Sequence, residues 1–122
     1  MINYLIVSAG AAFGGVLRFW MSKAVYKVLP VYFPFGTLVI NVLGSFLIGL
    51  FIYYFDAKGM ISQSTRLFLT VGFCGGFTTF STFSLETFNL LKESQFFFAG
   101  INILGHVILC LLGVYLAYIV SK

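Results

Sequence analysis

Charge is scarce in this chain. Of 122 residues, seven are Lys or Arg and three are Asp or Glu, 8% together where a soluble domain carries ~25%. A chain this poor in charge and 61% apolar, with mean hydropathy +1.07, cannot hide its hydrocarbon inside one small core, so lipid is its expected solvent. Acidic residues are scarcer still. None precedes Asp56, and Glu86 is the only one inside a predicted span. That counts strongly against a proton-coupled exporter of cations built on a carboxylate early in the first helix, and it leaves no carboxylate ring for a cation pore. The two cysteines, Cys74 and Cys110, form no C-x-x-C pair, and the single histidine, His106, has no ligand cluster around it. Neither a disulfide framework nor a side-chain metal site follows. No nucleophile–base pair or cofactor motif is present, so an enzyme is not expected. A net charge of +4 spread over loops is no nucleic-acid footprint.

The few charges mark the gaps between spans. None occurs in 1–17, 28–55, 67–85 or 94–121. A crossing needs ~20 mostly apolar residues, so each interval holds one and none holds two. The pattern predicts an all-α integral membrane protein, 1–122 as a single transmembrane domain, with helices near 2–22, 34–55, 65–91 and 96–119. The first span lacks a positively charged leader and a small-residue cleavage site, and is expected to be retained.

The loop charges almost balance. Lys58, Arg66 and Lys122 fall on one side, and Lys23, Lys27 and Lys92, with Arg18 just inside the first span, on the other. An excess of Lys and Arg normally sets orientation. With almost none, the chain is expected to insert both ways and to pair as an antiparallel dual-topology homodimer, the equivalent of an inverted repeat.

Polar residues recur inside the spans. Thr37, Asn41 and Ser45 lie at i, i+4, i+8 along the second span, and Asn102, His106 and Cys110 along the fourth. Such stripes serve either interhelical hydrogen bonds or a permeation path. Gly10 and Gly14 in the first span have the spacing of a close helix contact. The third span is the least ordinary. GFCGGFTTFSTFSLET (72–87) combines Gly72, Gly75 and Gly76 with Thr78 and Thr79, which predicts a helix break around 75–79. On a helical wheel Phe80 and Phe83 fall about 60° apart, beside Ser84 and Thr87, while Thr79, Thr82 and Glu86 form a second face. A break frees backbone groups that survive in a membrane only when buried, lining a cavity or binding an ion. Carbonyls ending one half-helix favour a cation, and N–H groups opening the next favour an anion. Aromatic ring edges are positive, so the phenylalanines and hydroxyls tilt the wall towards a small anion.

GGVLRF (14–19), PFGTLVINVLGSFLIG (34–49) and GFCGGFTTFSTF (72–83) resemble, in order and spacing, the signatures of the Fluc (CrcB-like) family of fluoride channels. Length and span number agree throughout. The resemblance implies an antiparallel dual-topology homodimer with two pores that lets fluoride leave the cytoplasm passively through the cell (inner) membrane and so gives fluoride resistance. It implies that Phe80 and Phe83 line the pores by their ring edges, that Asn41 is the second-span pore asparagine, and that Ser81 and Thr82 are the hydroxyl pair beyond the break. Gly75 and Thr78 match positions whose carbonyls, from both subunits, hold a structural sodium ion. Arg18 and Glu86 match charged positions near the vestibules and pore. The fourth span departs from the tyrosine-and-serine version of some members: Asn102, His106 and Cys110 carry its polar track, which places His106 among the pore candidates. Two other readings are a small multidrug or guanidinium exporter, which the missing first-helix carboxylate opposes, and a non-transporting subunit, which leaves the break without a purpose.

Overall fold

The computed structural model describes residues 1–122 and is all-helical. Four helical stretches are long and apolar enough to cross a membrane: Ile2–Val25, Phe35–Asp56, Gln63–Lys92 and Phe96–Ser121. They comprise five helices, α1 (Ile2–Val25), α2 (Phe35–Asp56), α3 (63–77), α4 (Phe80–Lys92) and α5 (Phe96–Ser121).

Local chemistry sets the ends. Helix α1 runs three residues past the predicted boundary, because nothing in Lys23–Val25 breaks it before the turns at 26–28. Pro34 stands just ahead of α2, and the free N–H of Gly36 donates to the Tyr26 hydroxyl at 3.1 Å. The α2–α3 turn closes on Gly59, whose φ of +69° suits a residue without a Cβ. Helix α3 begins at Gln63, two residues earlier than predicted, because the Ser62 hydroxyl accepts the Thr65 N–H at 3.1 Å and caps it. Two stretches, Phe51–Asp56 in α2 and Phe68–Cys74 in α3, widen into π-helical turns.

Glycines decide how the helices meet. Helix α1 crosses α3 at Gly10 and Gly14; a Cβ on Gly14 would run into the carbonyl oxygen of Phe73. From the other side, a Cβ on Gly76 would lie 2.5 Å from the Ala11 carbonyl oxygen, and one on Gly72 3.0 Å from Gly10 Cα. This is backbone-to-backbone packing of the kind small residues permit in lipid. Helices α2 and α5 also pack extensively, with Gly49 against Ala117 and Gly113 against the Val42 main chain.

The break predicted around 75–79 therefore needs correction in its extent. Gly75, Gly76 and Phe77 remain helical, because Gly72 and Gly76 are spent on close approach to α1 and not on unwinding. Only Thr78 (φ −85°, ψ 160°) and Thr79 (φ −151°, ψ 118°) leave the helix for extended backbone.

The distribution of polarity is the reverse of a soluble protein's. The outer surface is covered by side chains such as Phe13, Val16, Leu104, Leu111 and Val120, whereas Thr37, Asn41, Thr70, Thr87, Asn102, His106 and Ser121 are buried.

Candidate functional site

The interruption at Thr78–Thr79 rearranges a set of hydrogen bonds. In a continuous helix the Thr79 N–H would donate to the Gly75 carbonyl, and the Thr82 N–H to the Thr78 carbonyl. Instead Thr79 N–H donates to Asn41 Oδ1 at 2.9 Å, and Thr82 N–H to Thr79 Oγ1 at 3.2 Å. The Gly75 and Thr78 carbonyls thus lose their helical donors. The intervening Gly76 carbonyl accepts from Arg18 Nε at 3.1 Å. Asn41 completes its grip by donating from Nδ2 to the Thr79 carbonyl at 3.0 Å. The Thr79 hydroxyl also donates to Thr82 Oγ1 at 3.0 Å, so it caps α4 from within the break.

Beside the break lies a cavity of about 410 Å³. Six of the ten candidate site residues meet there: Asn41, Gly75, Thr78, Phe80, Phe83 and His106. The Phe80 and Phe83 rings are 5.4 Å apart between centroids and inclined by 51°, and His106 lies 4.3 Å from Phe83 on the other side. Phe80 is 77% exposed, and Gly75 and Ser81 are exposed as well, so this face of the chain is open.

The polar track of α5 is tied inward. Asn102, with no exposed surface, donates from Nδ2 to Thr87 Oγ1 at 2.9 Å. His106 Nδ1 is 3.0 Å from the Asn102 carbonyl oxygen. A carbonyl only accepts, so a proton on Nδ1 makes this bond and leaves Nε2, which is buried without a partner. Cys110 continues the line into the cavity.

Four other candidates stand apart from the cavity. Arg18 reaches the break from the α1 side, as above. Thr82 is engaged by Thr79, and the Ser81 hydroxyl is 3.3 Å from Thr79 Oγ1. Glu86 lies one and more turns along α4, in a second cavity of about 310 Å³ with Tyr26, Tyr32, Phe33 and Glu93, and its Oε1 is buried without a partner.

Sequence reasoning missed Thr70. It is buried, lines the main cavity and bonds the Arg66 carbonyl at 2.8 Å. Its signal was present: Thr70, Cys74 and Thr78 recur at i, i+4, i+8, the same interval as the two stripes already noted. No three His, Cys, Asp or Glu side chains converge, and the oxygens at the break are main-chain carbonyls, hydroxyls and the Asn41 amide.

Residues 5–118 match the family model described as "CrcB-like protein, Camphor Resistance (CrcB)". A protein of Methylocella silvestris named "Fluoride-specific ion channel FluC" is 46% identical over 122 residues, covering 98% of this chain and 93% of its own length. Proteins of the same name from Paramagnetospirillum magneticum and Geobacter sulfurreducens are each 44% identical, covering 99% and 100% of this chain and 96% and 98% of their own lengths. With four helices able to span a bilayer, the chain is a multi-pass membrane protein, and it belongs to the CrcB-like family.

Proposed function

We propose that this protein is a fluoride-selective passive ion channel that lets cytoplasmic fluoride out across the cell (inner) membrane. The observation that carries the reading is the cavity beside the break, where the Phe80–Phe83 pair, the Asn41 amide and His106 meet. The names of the relatives point the same way.

The physical task is severe. Placing a bare small anion in hydrocarbon costs on the order of tens of kcal/mol. The wall offers a substitute for water: ring edges from Phe80 and Phe83, hydroxyls from Ser81 and Thr82, and an N–H of Asn41. Each is a modest partner, and that modesty matters, because an ion held tightly would not leave. Arg18, bonded to the Gly76 carbonyl beside the break, and Glu86, further along α4, set the local field near the pore and its vestibules. Transport needs no coupling. Hydrogen fluoride enters from acid surroundings uncharged and ionises inside, so a leak for the anion lowers the internal concentration.

The working unit in this reading is an antiparallel homodimer of oppositely inserted copies. The open face supports it: exposed Gly75, whose carbonyl has lost its helical donor, and the exposed Ser81 hydroxyl lie where lipid cannot satisfy them, and a second copy would cover them. A structural sodium ion belongs at the centre, held by the Gly75 and Thr78 carbonyls of both copies. The residues fit it, because both carbonyls lose their helical donors at the break, to Asn41 Oδ1 and to Thr79 Oγ1. When bound, the sodium supplies the positive charge that balances converging carbonyl dipoles.

Purified protein in liposomes tests the proposal. Fluoride should pass without a proton gradient, and chloride should not. Equal passage of the two, or passage of neither, overturns it.

A further inference from the structure

The two hydrogen bonds between Asn41 and Thr79 do more than line a cavity. We infer that Asn41 is a positioning residue for the central cation site: its amide holds the chain open at Thr79, so that the Gly75 and Thr78 carbonyls stay available, without being a ligand itself. This rests on the sodium reading above.

The fit is specific in direction. An Asn side chain has one carbonyl oxygen and two N–H donors. Thr79 offers one N–H and one C=O, met by Oδ1 at 2.9 Å and Nδ2 at 3.0 Å. Turning the amide over would set carbonyl against carbonyl and donor against donor, so the main chain fixes its orientation. Both ends of the amide are engaged by Thr79, and the second N–H of Nδ2 is left as a donor for the cavity that Asn41 lines, which suits an anion.

The same grip controls the backbone. The Thr79 N–H is the group that would otherwise close the helix onto the Gly75 carbonyl. While Asn41 holds it, Gly75 cannot be recaptured. Thr79 then stays extended, and its hydroxyl caps α4 through the Thr82 N–H, the donor that would have closed onto Thr78. One side chain on α2 thereby withholds both helical donors from the two carbonyls. Helix α2 is shaped for this over a full turn. Asn41 is 8% exposed, and three residues on, a Cβ at Gly44 would collide with the Thr78 side chain, so glycine lets the break lie against α2. Removing a group that orients metal ligands typically weakens metal binding by about 10–100-fold.

The test is the sodium dependence of thermal unfolding of the purified protein in detergent, with choline replacing sodium. Wild type and Phe83→Ile, which alters the wall but not the clamp, should titrate over the same sodium range. Asn41→Leu, similar in size but unable to hydrogen-bond, should need roughly tenfold more sodium or more. If Asn41→Leu titrates like wild type, the inference is overturned. Should Asn41→Leu fail to fold, Asn41→Ser, too short to reach both Thr79 groups, takes its place with the same expected shift. A wild type indifferent to sodium would remove the sodium reading alone. Hydrogen exchange at the Thr79 amide then decides the clamp: faster exchange in the Asn41 variant supports it, and unchanged exchange rejects it.

Discussion

His106 packs on Phe83, ring centroid to ring centroid 4.3 Å, while its Nδ1 is anchored 3.0 Å from the Asn102 carbonyl. The fourth span therefore fixes one wall of the cavity through a tilted ring-on-ring contact, the planes inclined by 47°. An aromatic contact of this kind contributes about 0.5–1.5 kcal/mol beyond area burial. Replacing His106 by Leu keeps bulk but loses the tether to Asn102. Fluoride flux through reconstituted His106→Leu should fall by about tenfold while the protein still assembles. Undiminished flux would remove His106 from the pore.

Helix α5 is joined to α4 by Asn102 and Thr87. Interhelical hydrogen bonds in lipid average ~0.6 kcal/mol and reach ~1.7. This one is fully buried and leaves Asn102 Oδ1 without a partner, so the upper part of that range is expected. A double-mutant cycle of Asn102→Leu and Thr87→Val, read by thermal unfolding in detergent, should give a coupling near 1 kcal/mol. A coupling indistinguishable from zero would mean that the contact is incidental.

Glycines divide into two groups with opposite expectations. Gly14→Ala puts a methyl into the Phe73 carbonyl oxygen, backbone that cannot move aside, and overpacking of that sort costs about 1–3 kcal/mol. Gly105 sits at the same kind of helical position with nothing within 4 Å of an added Cβ. Gly14→Ala should lower the unfolding midpoint and the yield of assembled protein. Gly105→Ala should leave both unchanged. Equal effects would contradict the close α1–α3 crossing.

These contrasts also show what could be read from the chain and what could not. The spans were legible because charge is excluded from hydrocarbon, so Lys23, Asp56, Arg66 and Lys92 had to fall near their ends. The stripes were legible because i, i+4 spacing defines a helix face, and Asn41, His106 and Cys110 do meet in one cavity. The extent of the break was not. Gly75 and Gly76 read as helix breakers from propensity alone, yet Gly76 stays helical because Ala11 of another helix packs on it. What opens the chain one turn later is Asn41, 38 positions away from Thr79. Such a pairing is tertiary, and no local pattern announces it. Thr70 shares the i, i+4, i+8 interval of Cys74 and Thr78, but that line runs through Gly72, Gly75 and Gly76, whose low helix propensity masks a regular helix face.

Orientation follows from the loop charges and can be checked alone. With Lys58, Arg66 and Lys122 balanced against Lys23, Lys27 and Lys92, a C-terminal tag should report from both sides of the membrane. A signal from one side only would contradict dual insertion. Adding two lysines after Gly59 should push the population to a single orientation and, if the antiparallel dimer is the conducting form, silence it.

The most direct test of the account is fluoride efflux from liposomes, measured side by side for wild type, Phe80→Ile and Phe83→Ile, with chloride efflux as the reference. The account predicts rapid, chloride-excluding fluoride efflux from wild type and strongly suppressed efflux from both variants, each still assembled. Normal fluoride efflux from both variants, or chloride efflux equal to fluoride in wild type, would contradict it.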